Sequence, residues 1–226
     1  MDISFSPLWL SLKLATFTTL ILLIIGLPLV YLIHFKLKFT FIKPLVKAIV
    51  SLPLVLPPTV LGYYLLVAFN PESFLGSTFE RLFDLRLVFS FTGILIGSVI
   101  FSLPFMVNPI LSAIESLPAY YEDAAYTLGK SSWVTFFKVL LPNIKASVVV
   151  GLTLSFAHTI GEFGVILMIG GNIPNETRVA SIAIYNEVEM LNYQSANLYA
   201  LILLVFSLLV LTFVNYFNAE KNTGEL

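Results

Sequence analysis

Residues 115–142 read ESLPAYYEDAAYTLGKSSWVTFFKVLLP, a polar segment between two long apolar stretches. Pro118 suits the first turn of a helix, and Gly129 can adopt the left-handed conformation that ends one. Glu122 and Asp123 fall early between these markers, where the helix dipole favours acidic side chains. The pattern predicts a short helix over Tyr120–Leu128, too short and too polar to span a bilayer. Such a helix lies at the membrane surface or docks into another protein.

Five apolar stretches around this segment are each long enough to cross a membrane. A bilayer core of about 30 Å needs about 20 apolar residues as a helix, because backbone polar groups must be paired internally. Hydrophobic residues make up 58% of the chain and charged residues only 11%, which excludes a soluble domain. We therefore predict an all-α polytopic membrane protein forming a single domain over residues 1–226. The predicted spans are approximately residues 8–33, 45–69, 87–114, 144–170 and 196–217.

The composition also excludes several kinds of site. The chain has no cysteine, so it can form neither a disulfide framework nor a thiolate metal site. Its formal net charge of −1 provides no general attraction to nucleic acid. It contains no glycine-rich loop of the form GxxxxGK[ST], so it cannot bind and hydrolyse ATP by that route.

The distribution of Lys and Arg predicts the orientation in the membrane. Of twelve basic residues, eight fall on the side that carries residues 115–142, and the opposite side has only three in its loops. The positive-inside rule then places the N-terminus outside and the C-terminus in the cytoplasm. The eight are Lys36, Lys38, Lys43, Lys47, Lys130, Lys138, Lys145 and Lys221; the three are Arg81, Arg86 and Arg178, and Lys13 lies inside the first span.

The cytoplasmic segment resembles the "EAA" loop of ABC importer permeases. The resemblance rests on Asp123-Ala124-Ala125, then three residues, Gly129, nine residues and VLLP ending at Pro142. In that family the loop forms a coupling helix that sits in a cleft of the cytoplasmic ATPase. In strict register the glutamate position of the motif holds Asp123, while Glu122 lies one residue earlier, so either acid can have the family's role. The implied ATPase-coupling residues are Tyr120, Glu122, Asp123, Ala124, Ala125, Leu128, Gly129 and Pro142.

Four further stretches resemble the molybdate permeases of the ModB type. They are LPLVLPPTVLGYYLLV at 52–67, SLPFMVNPI at 102–110, GEFG at 161–164 and NIPNETR at 172–178. The GEFG motif also occurs in sulfate and thiosulfate permeases, whereas the combination of LPLVLPP with NIPxETR favours molybdate or tungstate. A sulfate or thiosulfate permease is the alternative.

The resemblance implies a type I ABC importer fold with partners that supply energy and substrate. Two copies of the permease would form a homodimer in the inner membrane around a central pathway. A dimer of ModC-type ATPases would bind ATP and magnesium, and a periplasmic or tethered ModA-type protein would deliver molybdate. The permease itself would hold no cofactor, no metal and no catalytic residue.

Several residues are candidates for the pathway or its gate. Pro57 and Pro58 interrupt the second span, because proline removes backbone hydrogen bonds. Glu162 lies inside the fourth span, where an uncompensated charge costs several kcal/mol. We expect it either to line the pathway or to make a structural hydrogen bond, for example to His158, four residues earlier on the same helix face. Polar groups that suit an anion better are Thr59, Asn108, Ser155 and Thr159, although such groups often serve helix packing.

The outer segment, residues 171–195, is a candidate docking surface for the binding protein. It contains Glu176 and Arg178, followed by VASIAIYNEVEML, which predicts a short amphipathic helix. The alternative is that this helix rests on the bilayer interface.

Two other function classes are considered. His158 and Glu162, one turn apart, suit an intramembrane metalloprotease. A zinc site needs three protein ligands, however, and the only other histidine is His34, at the cytoplasmic end of the first predicted span. A secondary transporter acting alone is disfavoured because the five spans show no pairing of halves.

Overall fold

The computed structural model describes residues 4–37 and 41–222, with side chains described as far as residue 212. Within these ranges all regular structure is helical. Lys38, one of the basic residues used to predict orientation, lies outside the described residues. So do residues 1–3 and 223–226, the two termini whose sides of the membrane were predicted. The helices are α1 (Ser6–Tyr31, extended by a π-helical turn Leu32–Lys36), α2 (Ile42–Ser51), α3 (Pro58–Phe69), α4 (Phe74–Phe83), α5 (Phe91–Ser116), α6 (Tyr120–Thr127), α7 (Ser132–Thr135, extended by a π-helical turn Phe136–Leu140), α8 (Leu141–Asn143), α9 (Lys145–Gly161), α10 (Gly164–Gly170), α11 (Ala180–Glu189) and α12 (Tyr193–Asn222).

Three helices are continuous and apolar enough to cross a membrane. They are α1 with its π-helical turn, α5, and α12 over Tyr193–Thr212. Two bent pairs raise the number of candidate spans to five if each pair counts as one: Ile42–Leu54 with Pro58–Phe69, and Ser132–Asn143 with Lys145–Gly161. The upper count agrees with the five spans predicted from the sequence, but the fourth candidate is the bent pair Ser132–Asn143 with Lys145–Gly161 rather than the predicted stretch 144–170.

The stretch 45–69 is divided by its prolines. The helix axis turns by 106° between Ile42–Leu54 and Pro58–Phe69. Pro57 has an extended backbone, with φ −55° and ψ 135°, because the residue that precedes a proline avoids the helical region. Pro58 then begins α3, where the missing N–H is not needed.

The predicted third span is unbroken, whereas the predicted fourth span is not. α5 runs without interruption through Pro104 and Pro109. The stretch 144–170 is divided at Glu162 and Phe163 into α9 and α10. Glu162 ends α9 with φ −64° and ψ 132°, so the chain leaves the helix axis after it. Its carboxylate still lies one turn from His158, with Oε2 4.0 Å from Nε2, so the two side chains face each other as the sequence predicted.

The three helices α1, α5 and α9 form the centre of the molecule and pack against one another. Their buried residues include many small hydroxyl side chains, which permit close helix approach in an apolar environment. Among them are Ser11, Thr18, Ser98, Ser102, Ser155 and Thr159.

The helix α1 connects the two ends of the molecule. Near its start, the Ser6 hydroxyl donates to Asn175 at 2.6 Å, and the Ser11 hydroxyl accepts the N–H of Ala180 at 2.8 Å. At its far end, His34 contacts α6. One end of the molecule therefore carries α4 and α11, and the other carries α6 and α7.

Candidate functional site

The short helix α6 is held against the body of the protein by one face. Ala125 is buried, with 4% of its surface exposed, and Glu122 contacts His34 through Oε1 and Nε2 at 2.7 Å. Asp123 and Ala124 are exposed. The two neighbouring acids therefore point in different directions, since successive helical residues are rotated by about 100°.

Gly129 ends α6 as the sequence predicted. Its φ is +70°, and its N–H donates to the carbonyl of Tyr126 at 2.9 Å. The N–H of Lys130 donates to the carbonyl of Ala125 at 3.0 Å. These two bonds form a Schellman motif, which satisfies carbonyl groups at the helix end and needs a positive φ at the glycine.

An aromatic cluster joins α1 to α7 beside α6. The Tyr31 ring packs edge-on against Trp133 at 5.0 Å and against Phe136 at 5.6 Å between centroids. Its hydroxyl is 3.1 Å from the hydroxyl of Ser132. Because Phe136 is fully buried, this cluster forms a rigid support for the loop.

The surface of the loop that faces away from the helices is rich in large side chains. Tyr120, Tyr126, Leu128 and Trp133 are all exposed, and so is Pro142 in α8. The pKa of the Tyr126 phenol is raised, mainly by partial burial and to a smaller extent by the charge of Glu122. The phenol therefore stays neutral well above physiological pH. An exposed patch of this kind is typical of a protein interface.

Salt bridges brace α2 against the end of α5 at the same end of the molecule. The Nζ atoms of Lys43 and Lys47 lie 3.1 Å and 2.7 Å from the carboxylate of Glu115. These salt bridges hold α2, the helix before the bend at Pro57 and Pro58, against α5. The helix after that bend, α3, borders a cavity.

The cavity has a volume of about 600 Å³ and lies near the middle of α5. It is formed where α3 begins, where α9 ends and where α10 begins. Its polar lining comes from Thr59, His158 and Glu162. The complete lining is Pro58, Thr59, Phe101, Ala157, His158, Gly161, Glu162, Phe163, Gly164, Leu167 and Met168.

Glu162 holds the break between α9 and α10. Its Oε1 accepts the N–H of Val165 at 2.9 Å, and its carbonyl accepts the hydroxyl of Ser181 at 2.5 Å. Its Oε2 lies 4.0 Å from Nε2 of His158. Of the two roles considered for this residue, the structural hydrogen bond is present, and the side chain also borders the cavity.

His158 is the cavity residue that sequence reasoning did not include in the pathway. Its ring stacks on Phe105, with centroids 4.1 Å apart, and its Nδ1 is 3.0 Å from the Ser102 hydroxyl. These contacts leave Nε2 on the side of Glu162. The signal in the sequence was a lone histidine in an apolar stretch, which we considered as a metal ligand or as a hydrogen-bond partner of Glu162.

The remaining pathway candidates lie outside the cavity lining. Ser155 and Thr159 are buried in the helix packing, and the hydroxyl of Thr159 bonds to that of Ser102 at 3.0 Å. Asn108 donates to the hydroxyl of Ser51 at 3.1 Å, which fixes the end of α2 to α5. Pro57 lies at the bend itself.

The two docking candidates at the opposite end both make intramolecular contacts. Glu176 is exposed, yet its Oε1 accepts the N–H of Phe91 at 2.9 Å and so caps α5. Arg178 donates from Nε to Oδ1 of Asn172 at 2.5 Å. The predicted helix after them is present as α11. Among the described residues, no three His, Asp or Glu side chains are grouped closely enough to hold a metal ion.

Comparison with known proteins defines the family. The sequence pattern described as "Binding-protein-dependent transport system inner membrane component" matches residues 26–222. The chain belongs to this family. It is therefore a permease subunit of an ABC importer, with ATP hydrolysis carried out by a partner protein.

Two curated relatives are named for the transport of molybdenum and of sulfate. The molybdenum transport system permease protein ModB of Azotobacter vinelandii is 42% identical over 216 residues, which cover 95% of this chain and 94% of that protein. The probable sulfate transport system permease protein cysT of Chlorella vulgaris is 35% identical over 179 residues, which cover 79% and 67%. The resemblance to ModB-type permeases is thus confirmed.

A solved structure has the same fold as this permease. It is the crystal structure of a bacterial ABC transporter involved in the import of the acidic polysaccharide alginate, with a TM-score of 0.80 over 97% of this chain and 80% of that one. Its sequence identity of 17% supports the fold alone. The fold is that of a type I ABC importer permease, as predicted.

Proposed function

We propose that this permease translocates molybdate, with tungstate as a second substrate. The observation that carries the proposal is the 42% identity to a ModB protein along nearly the full length of both chains. Sulfate is the second candidate, favoured by the 35% identity to a cysT protein. Both are tetrahedral dianions, so the chemistry required of a pathway is similar.

The cavity beside the two helix breaks is the part of the chain best suited to the pathway. Its hydrogen-bond donors are the Thr59 hydroxyl and the His158 imidazole, which suit an oxyanion. The charge of Glu162 would repel a dianion. The Val165 N–H, which donates to one of its oxygens, offsets only part of that repulsion. We infer a weak, transient contact with the anion, with Pro58, Thr59, His158 and Glu162 bordering the path. High-affinity selection then belongs to a ModA-type binding protein.

The exposed surface of α6 suits a cytoplasmic ATPase. It combines exposed aromatic residues with the carboxylate of Asp123 and is stiffened by the Gly129 turn. With two permease copies and two ModC-type ATPases, closure of the ATPase pair on ATP would draw the two α6 helices together. The membrane helices would then move between inward-facing and outward-facing arrangements.

The proposed contact between α6 and the ATPase also sets the orientation of the permease in the membrane. The end with α6 and α7 lies in the cytoplasm, and the end with α4 and α11 faces the binding protein. Glu176, Arg178 and the exposed face of α11 are then available at the outer surface, where Tyr185, Met190 and Leu191 are exposed.

Labelled molybdate uptake tests the substrate. We compare a strain deleted for this chain with the same strain complemented, adding excess tungstate or sulfate as competitor. The proposal predicts that deletion abolishes high-affinity uptake and that tungstate competes whereas sulfate does not. Equal competition by sulfate would favour the second candidate, and uptake independent of the chain would exclude both. The native mass of the purified complex tests for two permease and two ATPase subunits.

A further inference from the structure

We propose that the two adjacent acids of α6 have separate roles in coupling: Glu122 fixes α6 to the end of α1 through His34, and Asp123 is the acid presented to the ATPase. The inference rests on the proposed role of the loop as the ATPase contact. It assigns a positioning role to His34, a residue outside the loop motif.

The contact between His34 and Glu122 is short, sheltered and non-local. Nε2 and Oε1 are 2.7 Å apart, and the side chains are 16% and 29% exposed. A carboxylate accepts hydrogen bonds, so the imidazole donates from Nε2. The residues are 88 positions apart in the chain, so the bond joins two separate elements.

The position of His34 explains why this bond can transmit movement. His34 lies in the π-helical turn Leu32–Lys36, which continues α1 without a break. Its ring packs edge-on against Phe35 at 4.6 Å, and Phe35 packs in turn against Phe136. These contacts connect the histidine to the aromatic cluster and restrict rotation of its ring.

The helix α6 needs such a support. It has eight residues, fewer than an isolated helix requires for stability in water. On the side facing the protein, its contacts include buried Ala125 and the Glu122 carboxylate. Tyr121 also packs against the buried cluster that contains Tyr31 and Phe136. Loss of the Glu122 bond would leave α6 attached by Tyr121, by Ala125 and by the backbone at its two ends.

Asp123 differs from Glu122 in its exposure, which is what contact with a partner protein requires. Its side chain is exposed, and its carboxylate has no hydrogen-bond or ion-pair partner among the described residues, although its backbone carbonyl accepts the Thr127 hydroxyl. On the helix surface it lies between Tyr120 and Tyr126, three residues before and after it, and both of these side chains are exposed. An exposed carboxylate bordered by large apolar groups suits an arginine or lysine of the ATPase.

Together these contacts give a direct mechanical route. Movement of the ATPase acts on α6 at Asp123, passes through the Glu122–His34 bond to α1, and reaches α5 and α9, which pack along α1. Because Glu122 faces the body of the protein and Asp123 faces solvent, their removal should have different consequences.

The test uses the assembled complex reconstituted in proteoliposomes, with His34→Ala, His34→Gln, Glu122→Ala and Asp123→Ala compared with wild type. We expect His34→Ala and Glu122→Ala to copurify with the ATPase and keep basal ATP hydrolysis, but to transport about tenfold less molybdate per ATP hydrolysed. His34→Gln should restore coupling, because the glutamine amide can donate from a position similar to Nε2.

Asp123→Ala should instead reduce copurification with the ATPase. The double variant His34→Ala/Glu122→Ala should be no worse than either single variant.

Three results would overturn the proposal. The first is unchanged coupling in an assembled His34→Ala complex. The second is equal loss of ATPase binding in Glu122→Ala and Asp123→Ala. The third is loss of assembly in both His34→Ala and His34→Gln, because His34 would then serve folding rather than coupling. Failure of the proposed function is distinguishable, since the wild-type chain would then lack ATPase copurification or molybdate uptake.

Discussion

Gly164 lies so close to Pro58 that a Cβ atom on the glycine would stand 2.6 Å from the Cβ of the proline. The two residues begin α10 and α3, the helices that follow the two breaks in the apolar stretches. A second close approach occurs one turn further along, where a Cβ on Gly62 would stand 2.7 Å from that of Met168. The two breaks therefore form one structural unit, and the cavity is bounded by it.

Substitution of Gly164 by alanine should separate α3 from α10. Real Cβ atoms do not approach to 2.6 Å, and the proline ring cannot rotate away, so the backbone must shift. We expect a lower thermal unfolding temperature of the detergent-solubilised protein and weaker uptake. Gly161→Ala is the matched control for stability, since a Cβ there meets no atom within 4 Å. Equal unfolding temperatures for the two variants would contradict the packing argument.

Substitution of Gly129 by valine should uncouple the loop. The space around Gly129 is open, so the penalty comes from its φ of +70° rather than from a clash. A side chain in this left-handed region costs about 1–2 kcal/mol, and a branched one costs more. Asparagine tolerates the region, so Gly129→Asn should retain most ATP-dependent uptake. Intact uptake by an inserted and assembled Gly129→Val complex would show that the turn is not required.

Glu162 should be replaceable by glutamine but not by alanine. The glutamine carbonyl can still accept the N–H of Val165, whereas alanine leaves that buried donor unpaired at a cost of about 1–3 kcal/mol. Thermal unfolding of the purified protein should therefore rank wild type and Glu162→Gln together, above Glu162→Ala. If Glu162→Gln were as unstable as Glu162→Ala, the charge rather than the hydrogen bond would hold the break.

His158 should affect transport through its hydrogen-bonding group. Removing one donor to a charged anion should lower molybdate uptake by roughly tenfold in His158→Ala. His158→Gln, which keeps a donor near the position of Nε2, should retain more uptake than His158→Phe, which keeps only the aromatic packing against Phe105. ATPase copurification is measured in parallel as the control for assembly. Equal uptake by the Gln and Phe variants would exclude an anion contact at this position.

Much of the fold was predictable because its signals are local. The apolar stretches follow from composition, and the helix Tyr120–Thr127 with its stop at Gly129 follows from turn chemistry within ten consecutive residues. The same holds for the break at Pro57 and Pro58, since proline restricts its own backbone and that of the preceding residue. The spacing of the loop motif likewise identified the family that the comparisons confirmed.

Which of several neighbouring polar residues faces the cavity, the partner protein or the core was decided only by tertiary structure. Ser155, His158 and Thr159 all lie on one apolar helix, yet packing against α5 buries the two hydroxyls and leaves the histidine at the cavity. Glu122 and Asp123 are neighbours, and the contact with His34 separates their roles. A sequence determines which residues favour a helix, a turn or the lipid phase, because those preferences act over a few residues. Which face of each helix is covered depends on the partners it meets from distant parts of the chain, and only the folded arrangement supplies them.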